Sequence, residues 1–168
     1  MKRKRYLMSW VLITTLLACQ TEKASAPISS TQNERCTFRV RRSSETADAS
    51  NKPAGEAHLL TLSLEIDPLD GNDLTEAMPA FSGQREAAIH YLSFRFKDAV
   101  RLVAGRDTLE VAVFHFERSF DLKPGRTFHL TFDLSGLNET PTAPFLVVDA
   151  PPLGEKIVLK LTNLQMNR

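Results

Sequence analysis

The sequence contains little cysteine, a single tryptophan and no apolar run long enough to cross a bilayer. A spanning helix needs about 20 apolar residues. The longest such stretch, Tyr6–Leu17, is shorter and is broken by Ser9, Thr14 and Thr15. The sole tryptophan is Trp10, so no Cys…Trp…Cys core of the antibody type can be built. Local catalytic spacings are absent too. There is no Gly-x-Ser-x-Gly, His-Glu-x-x-His or Cys-x-x-Cys, and no Gly-rich phosphate loop. Any catalytic site would therefore be assembled from distant residues. An EF-hand is also missing from the acidic stretch Asp67–Glu76. Aligning Gly71 with the glycine of that loop puts Ile66 and Pro68 where oxygen ligands belong, and Ala77 at the bidentate Glu position. The stretch reads as a turn-rich, solvated loop.

What is present begins at the N-terminus. Lys2, Arg3, Lys4 and Arg5 precede the apolar run, which ends in Leu16-Leu17-Ala18-Cys19. A basic start, a short apolar middle and a small residue at the end describe an export signal. The final four residues resemble the lipobox of bacterial lipoproteins. The resemblance spans the first 19 residues and implies cleavage before Cys19, with a diacylglyceryl thioether and an N-acyl chain on that residue. One acyl chain holds a protein to a membrane only marginally, whereas two or three hold it firmly. Gln20 stands where Asp would imply inner-membrane retention in the enterobacterial pattern. The expected location is the bacterial cell envelope, at the outer membrane facing the periplasm, with surface exposure left open.

Cleavage changes the composition. Removing residues 1–18 from the 168 leaves 150, enough for one compact domain. It also removes four of the 21 basic residues and none of the 20 acidic ones, so 17 face 20 and the net charge becomes −3. With no basic excess, nucleic acid is not an expected partner. A lipidated Cys19 leaves Cys36 without a disulfide partner. Cys36 shares the apolar parity of Phe38 and Val40 and is expected to be a buried structural thiol.

Three regions follow: residues 1–18 as cleaved signal, 19–34 as lipidated N-terminus and flexible tether, and 35–168 as a single domain. A coil of fifteen tether residues would span about 20 Å. Within the domain, period-two alternation predicts strands at Arg35–Arg41, His58–Ile66, Leu109–Ser119, Arg126–Leu134, Pro144–Asp149 and Lys156–Leu164. Gly105-Arg106-Asp107 reads as a turn after a strand at Ala99–Ala104. Residues Arg85–Val103 fit a helix, with Ile89, Leu92, Phe96, Val100 and Val103 at spacings of three and four. They also fit strands, with His90, Leu92, Phe94 and Phe96 on one face. The aromatic content of Tyr91–Phe96 favours strands.

Together these patterns predict an all-β antiparallel β-sandwich, immunoglobulin-like or related, of about seven or eight short strands. The segment Phe120–Phe132, with its Leu122-Lys123-Pro124-Gly125 turn, resembles the turn and following strand of immunoglobulin-like modules in extracytoplasmic lipoproteins. Pro124-Gly125 suits a type II turn, with a positive φ at the glycine.

Candidate chemistry is sparse. His115 and Glu117 share the polar face of one predicted strand, and His129, Thr131 and Asp133 that of another. Pairing of these strands would gather His115, Glu117, His129 and Asp133, donors that suit zinc or another divalent ion. A solvated sheet face has the same appearance, and neither a metal nor any other cofactor is expected. Phe114, Phe116, Phe120, Phe128, Phe132 and Phe145, with Tyr91 and Phe94, are expected in the core; the alternative is an exposed surface that stacks on glycans or peptides. Asn138-Glu139-Thr140 matches a glycosylation sequon that most bacterial lineages do not use. The expected function is a non-enzymatic one: a lipid-anchored module that binds an envelope protein or serves as an accessory subunit. A lipoprotein that binds glycan or divalent metal is the alternative, and a hydrolase with a dispersed site ranks below it.

Overall fold

The computed structural model describes residues 26–43, 58–117, 124–137 and 143–162. The signal segment, Cys19, Phe120 and the sequon at 138–140 lie outside the described residues. Nine strands are present among them: Ser29–Gln32 (β1), Cys36–Arg42 (β2), Leu59–Pro68 (β3), Val100–Ala104 (β4), Asp107–Glu110 (β5), Val113–Glu117 (β6), Arg126–Asp133 (β7), Phe145–Val148 (β8) and Ile157–Lys160 (β9). One short helix, Arg85–His90 (α1), continues through a wide π-type turn at Tyr91–Arg95 and a 3-10 turn at Phe96–Ala99.

The strands form two antiparallel sheets, one in the order β1-β2-β3-β7-β6 and the other β5-β4-β8-β9. The protein is thus an all-β sandwich, as its alternation predicts. Leu60, Leu62, Leu64 and Ile66 of β3 face the same core as Phe128, Leu130 and Phe132 of β7, and all are buried. From the other sheet, Leu102, Leu146, Val148 and Leu159 close on them.

Three expectations about strands need correction. The stretch assigned to the tether contributes β1, whose residues pair with Thr37–Val40 of β2. Ile28 also donates its N–H to the Val40 carbonyl at 2.8 Å. Polar composition hid this strand, because an edge strand of half-buried and exposed polar residues shows no apolar alternation. The sheet therefore starts ten residues after Cys19.

The strand reading of Tyr91–Phe96 is overturned. Ala88, Leu92 and Phe96 are fully buried, whereas Phe94 is 56% exposed and His90 is exposed. A strand would have placed Leu92, Phe94 and Phe96 on one face. A spacing of four suits a slightly widened helical turn, and Ser93 donates its hydroxyl to the Ile89 carbonyl at 2.7 Å within it. Strand propensity yields to the chance to bury three side chains on one stripe. The predicted strand Leu109–Ser119 is likewise split. Its first part joins the four-stranded sheet as β5, and after Val111-Ala112 the chain passes to the other sheet as β6.

The glycines near the turns divide by cause. Gly105 has φ +67° in the two-residue connection between Ala104 and Asp107, as the hairpin reading requires. Gly125 is not a positive-φ residue, so the type II assignment fails. It is small for another reason: a Cβ there would run into the Asp67 carboxylate and stand 3.1 Å from the Ile66 carbonyl oxygen.

Truncation separates the helical from the extended arrangement of residues 91–96. Phe96→Ala, which empties a fully buried site, is expected to lower the unfolding free energy by about 3–5 kcal/mol. Phe94→Ala is expected to stay within about 0.5 kcal/mol. Equal losses in denaturant titrations would contradict the helical packing.

Candidate functional site

Apart from the exposed Leu59 and Val113, the outward residues of β2, β3, β7 and β6 in the five-stranded sheet make a polar face. They are Arg39 and Arg41 on β2, Thr61, Ser63, Glu65 and Asp67 on β3, Thr127, His129 and Thr131 on β7, and His115 and Glu117 on β6. Each is placed by the burial of its neighbours in sequence on the opposite face.

The expected pairing of the two histidine-bearing strands occurs. His115 stands directly opposite His129, with ring centroids 5.9 Å apart and planes 28° from parallel. Glu117 Oε2 lies 3.8 Å from His129 Nε2. On its other side His129 faces Ser63, a small neighbour. His129 Nδ1 is shielded from solvent and has no hydrogen-bond partner among the described residues. Asp133 does not join this group. It sits at the end of β7 opposite Leu59, and its Oδ1 accepts the Ser135 N–H at 2.9 Å. The hydrogen bonds from Ser135 hold its carboxyl below the usual range. Three of the four metal candidates are thus neighbours, and one is not. Among the described residues, no group of three or more His, Cys, Asp or Glu side chains is placed so as to hold a metal ion.

Beside this cluster runs an ion-pair ladder that sequence reasoning missed. Arg41 donates to both oxygens of Glu65, at 3.0 and 3.3 Å. Arg39 reaches Glu65 at 3.4 Å and also pairs with Asp67. The signal was present: Arg39 and Arg41 alternate on one strand, Glu65 and Asp67 on the next. Opposite charges facing across an antiparallel pair are mutually favourable. These pairs are partly exposed, so each contributes at most about 1 kcal/mol.

A second ion pair is more enclosed. Arg126, whose side chain is 9% exposed, donates to Asp73 and to the Gly125 carbonyl at 3.0 Å. Asp73 Oδ1 accepts the Thr75 N–H at 2.9 Å and its hydroxyl at 2.8 Å. Burial acts to raise the Asp73 pKa, but the Thr75 hydrogen bonds and the Arg126 guanidinium outweigh it and lower the value. Asp70 caps the same loop, accepting the Asn72 N–H at 3.0 Å and its side-chain amide at 3.1 Å. The acidic loop thus spends these carboxylates on its own turns and on Arg126, in keeping with the reading as a turn-rich loop.

The aromatics divide. Phe128 and Phe132 are fully buried; Phe96, Phe114 and Phe116 pack on Phe128 with centroids 4.5, 6.1 and 5.1 Å away. Tyr91 is half-buried between Phe81 and Phe96. Phe94 and Phe145 remain exposed. Cys36 is fully buried. Burial, reinforced by Asp70, pushes its thiol up to about 11 although Arg35 opposes the shift.

A cavity of about 930 Å³ lies elsewhere. It is an open groove between the β1–β2 turn and the start of β9, lined by Gln32, Asn33, Arg35, Pro151, Lys156 and Val158 among others. The Asn33 side-chain amide bridges it to the Leu153 carbonyl at 3.0 Å. It borders β1, the edge of the sheet opposite to β6 and the histidines.

Two outcomes follow from these environments. Asp73→Asn is expected to destabilise the fold by up to about 3 kcal/mol at neutral pH, because it leaves an enclosed guanidinium without its carboxylate. Since the folded pKa of Asp73 is lowered, this contribution is fully present above the unfolded value of about 3.9 and is lost as pH falls through the folded value. The gap between the two proteins should therefore close in strong acid, as urea titrations at several pH values can show. Cys36 is expected to resist a thiol-specific chromogenic reagent at pH 8 in the native state and to react once urea unfolds the chain. Comparisons with protein-family models, curated proteins and solved structures yield no match for this chain.

Proposed function

We propose that the protein is a lipid-anchored lipoprotein of the bacterial envelope, with a non-enzymatic β-sandwich that binds another envelope protein or serves as an accessory subunit. One observation carries this reading: the basic cluster, short apolar run and Leu16-Leu17-Ala18-Cys19 stand in the order of a lipoprotein signal, and the sandwich begins only ten residues later at Ser29. Ten residues reach at most about 35 Å when fully extended. A lipid on Cys19 would thus hold the β1 edge near the membrane and raise the local concentration of the domain toward other membrane-bound partners. No helix of the described residues is long and apolar enough to cross a membrane. In this reading the lipid on Cys19 supplies the anchor.

The intact mass of detergent-extracted protein tests the anchor. The expected species starts at Cys19 and carries diacylglyceryl and acyl groups; Cys19→Ala is expected to leave an unlipidated chain and to abolish retention in the membrane fraction. An unmodified Cys19 at the mature N-terminus would overturn the anchor. For the accessory role, capture of the lipidated protein from solubilised envelope should recover a stoichiometric protein partner, and repeated recovery of the protein alone would count against it.

A further inference from the structure

The function proposed above makes no use of the two histidines on the polar face. We propose that His115 and His129, with Glu117 as third ligand, form a binding site for a divalent transition-metal ion of the zinc, copper or nickel class. The proposal does not depend on the lipid anchor.

Strand pairing supplies the geometry. His115 and His129 are direct partners across β6 and β7, so their Cβ atoms are held about 5 Å apart on the same outward face. Glu117 lies two residues beyond His115 on that face. Its Oε2 is already 3.8 Å from His129 Nε2. Two donors each about 2.1 Å from an ion are separated by about 3.4 Å at a tetrahedral angle and by about 4.2 Å at most. The Glu117–His129 pair therefore stands within the span that one ion bridges. The two imidazoles are stacked rather than edge-on, with centroids 5.9 Å apart. His115 must turn about its side-chain torsions to bring a nitrogen to the same point. Its exposed position allows that movement. Among the described residues the His129 ring is held by no hydrogen bond through Nδ1, and its neighbour on β3 is the small Ser63.

The donor set selects the ion. Two imidazoles and one carboxylate suit zinc, copper and nickel, whereas calcium and magnesium prefer shells of oxygen. Water would complete the coordination. Among the described residues, His129 Nδ1 has no hydrogen-bond partner to fix its tautomer, a lack that lowers affinity. The site is thus expected to bind reversibly and not to hold its ion through purification.

The test uses the full chain without an affinity tag, in detergent, titrated with Zn²⁺ and Ni²⁺ by calorimetry. Histidine ring resonances are followed by NMR. Binding of one ion per chain is expected, with shifts at His115 and His129 and none at His58 or His90. His129→Gln and His115→Ala should each weaken binding by at least about tenfold, since loss of mere supporting partners already costs 10- to 100-fold. Glu117→Gln should weaken it by a smaller factor, and Asp133→Asn should leave it unchanged. All four positions are on the outward face of the sheet, and retained thermal unfolding would show that each variant folds. Unchanged Zn²⁺ affinity in both histidine variants, ring shifts confined to His58 or His90, or no saturable binding would each overturn the proposal.

Discussion

The β3–β7 pair sets the geometry of the whole sheet. Leu60, Leu62, Leu64 and Ile66 face Phe132, Leu130, Phe128 and Arg126 across it, and the apolar members are buried in one core. Side chains alternate with a period of two, so a slip of one residue would turn every one of these apolar groups to water. The register is therefore fixed from within. Once it is fixed, the outward residues have no freedom of placement. Ser63 must face His129, Thr61 must face Thr131, and Glu65 must face Thr127. The Thr61 and Thr131 hydroxyls accordingly meet at 3.2 Å. The polar face is a consequence of how the core packs, and the position of the histidine cluster inherits that constraint.

The two neighbours of this pair extend the constraint in opposite chemical directions. β2 adds Arg39 and Arg41 beside Glu65 and Asp67, so charges on that half of the face neutralise one another. β6 adds His115 and Glu117 beside His129 and Thr127, and Glu117 also borders a small cavity lined by Arg39 and Arg126. The half-buried Arg126–Asp73 pair then ties the long connection after β3 to the start of β7, aided by the Leu74 N–H donated to the Pro124 carbonyl at 3.0 Å. Gly125 lets this junction approach Asp67 closely. One end of the β3–β7 pair is therefore held by a carboxylate–guanidinium contact between residues far apart in sequence.

How much of this was legible follows from what each signal depends on. Alternation in β2, β3, β7, β8 and β9 is local, and the sequence displays both its apolar parity and its outward chemistry. Even the opposition of His115 and His129 needed only the assumption that their strands pair. β1 was invisible because an edge strand of half-buried polar residues has no apolar parity to show. The division between β5 and β6 was invisible for the opposite reason: alternation continues through Val111-Ala112 while the chain changes sheets, and only tertiary packing marks the break. At Tyr91–Phe96 two periods competed, and the side with more aromatic content lost because Leu92 and Phe96 could be buried together only on a helical stripe. The Asp73–Arg126 contact had no local signal at all.

The layout also bears on how an anchored domain would present its faces. In the strand order β1-β2-β3-β7-β6, His129 and His115 stand three and four strand spacings from β1, or about 14 and 19 Å at the usual separation. A lipid on Cys19 would act at the β1 edge. The large groove lies at that same edge, between β1 and the start of β9. Tethering would thus bring the groove toward the membrane and leave the histidine pair on the far side of the sheet, open to solutes. The two regions differ in chemistry as well as position: mixed charge and peptide edges line the groove, whereas imidazole and carboxylate mark the distal strands. An envelope partner bound near the anchor and an ion bound at β6–β7 would not compete for the same surface, so the same fold can carry both.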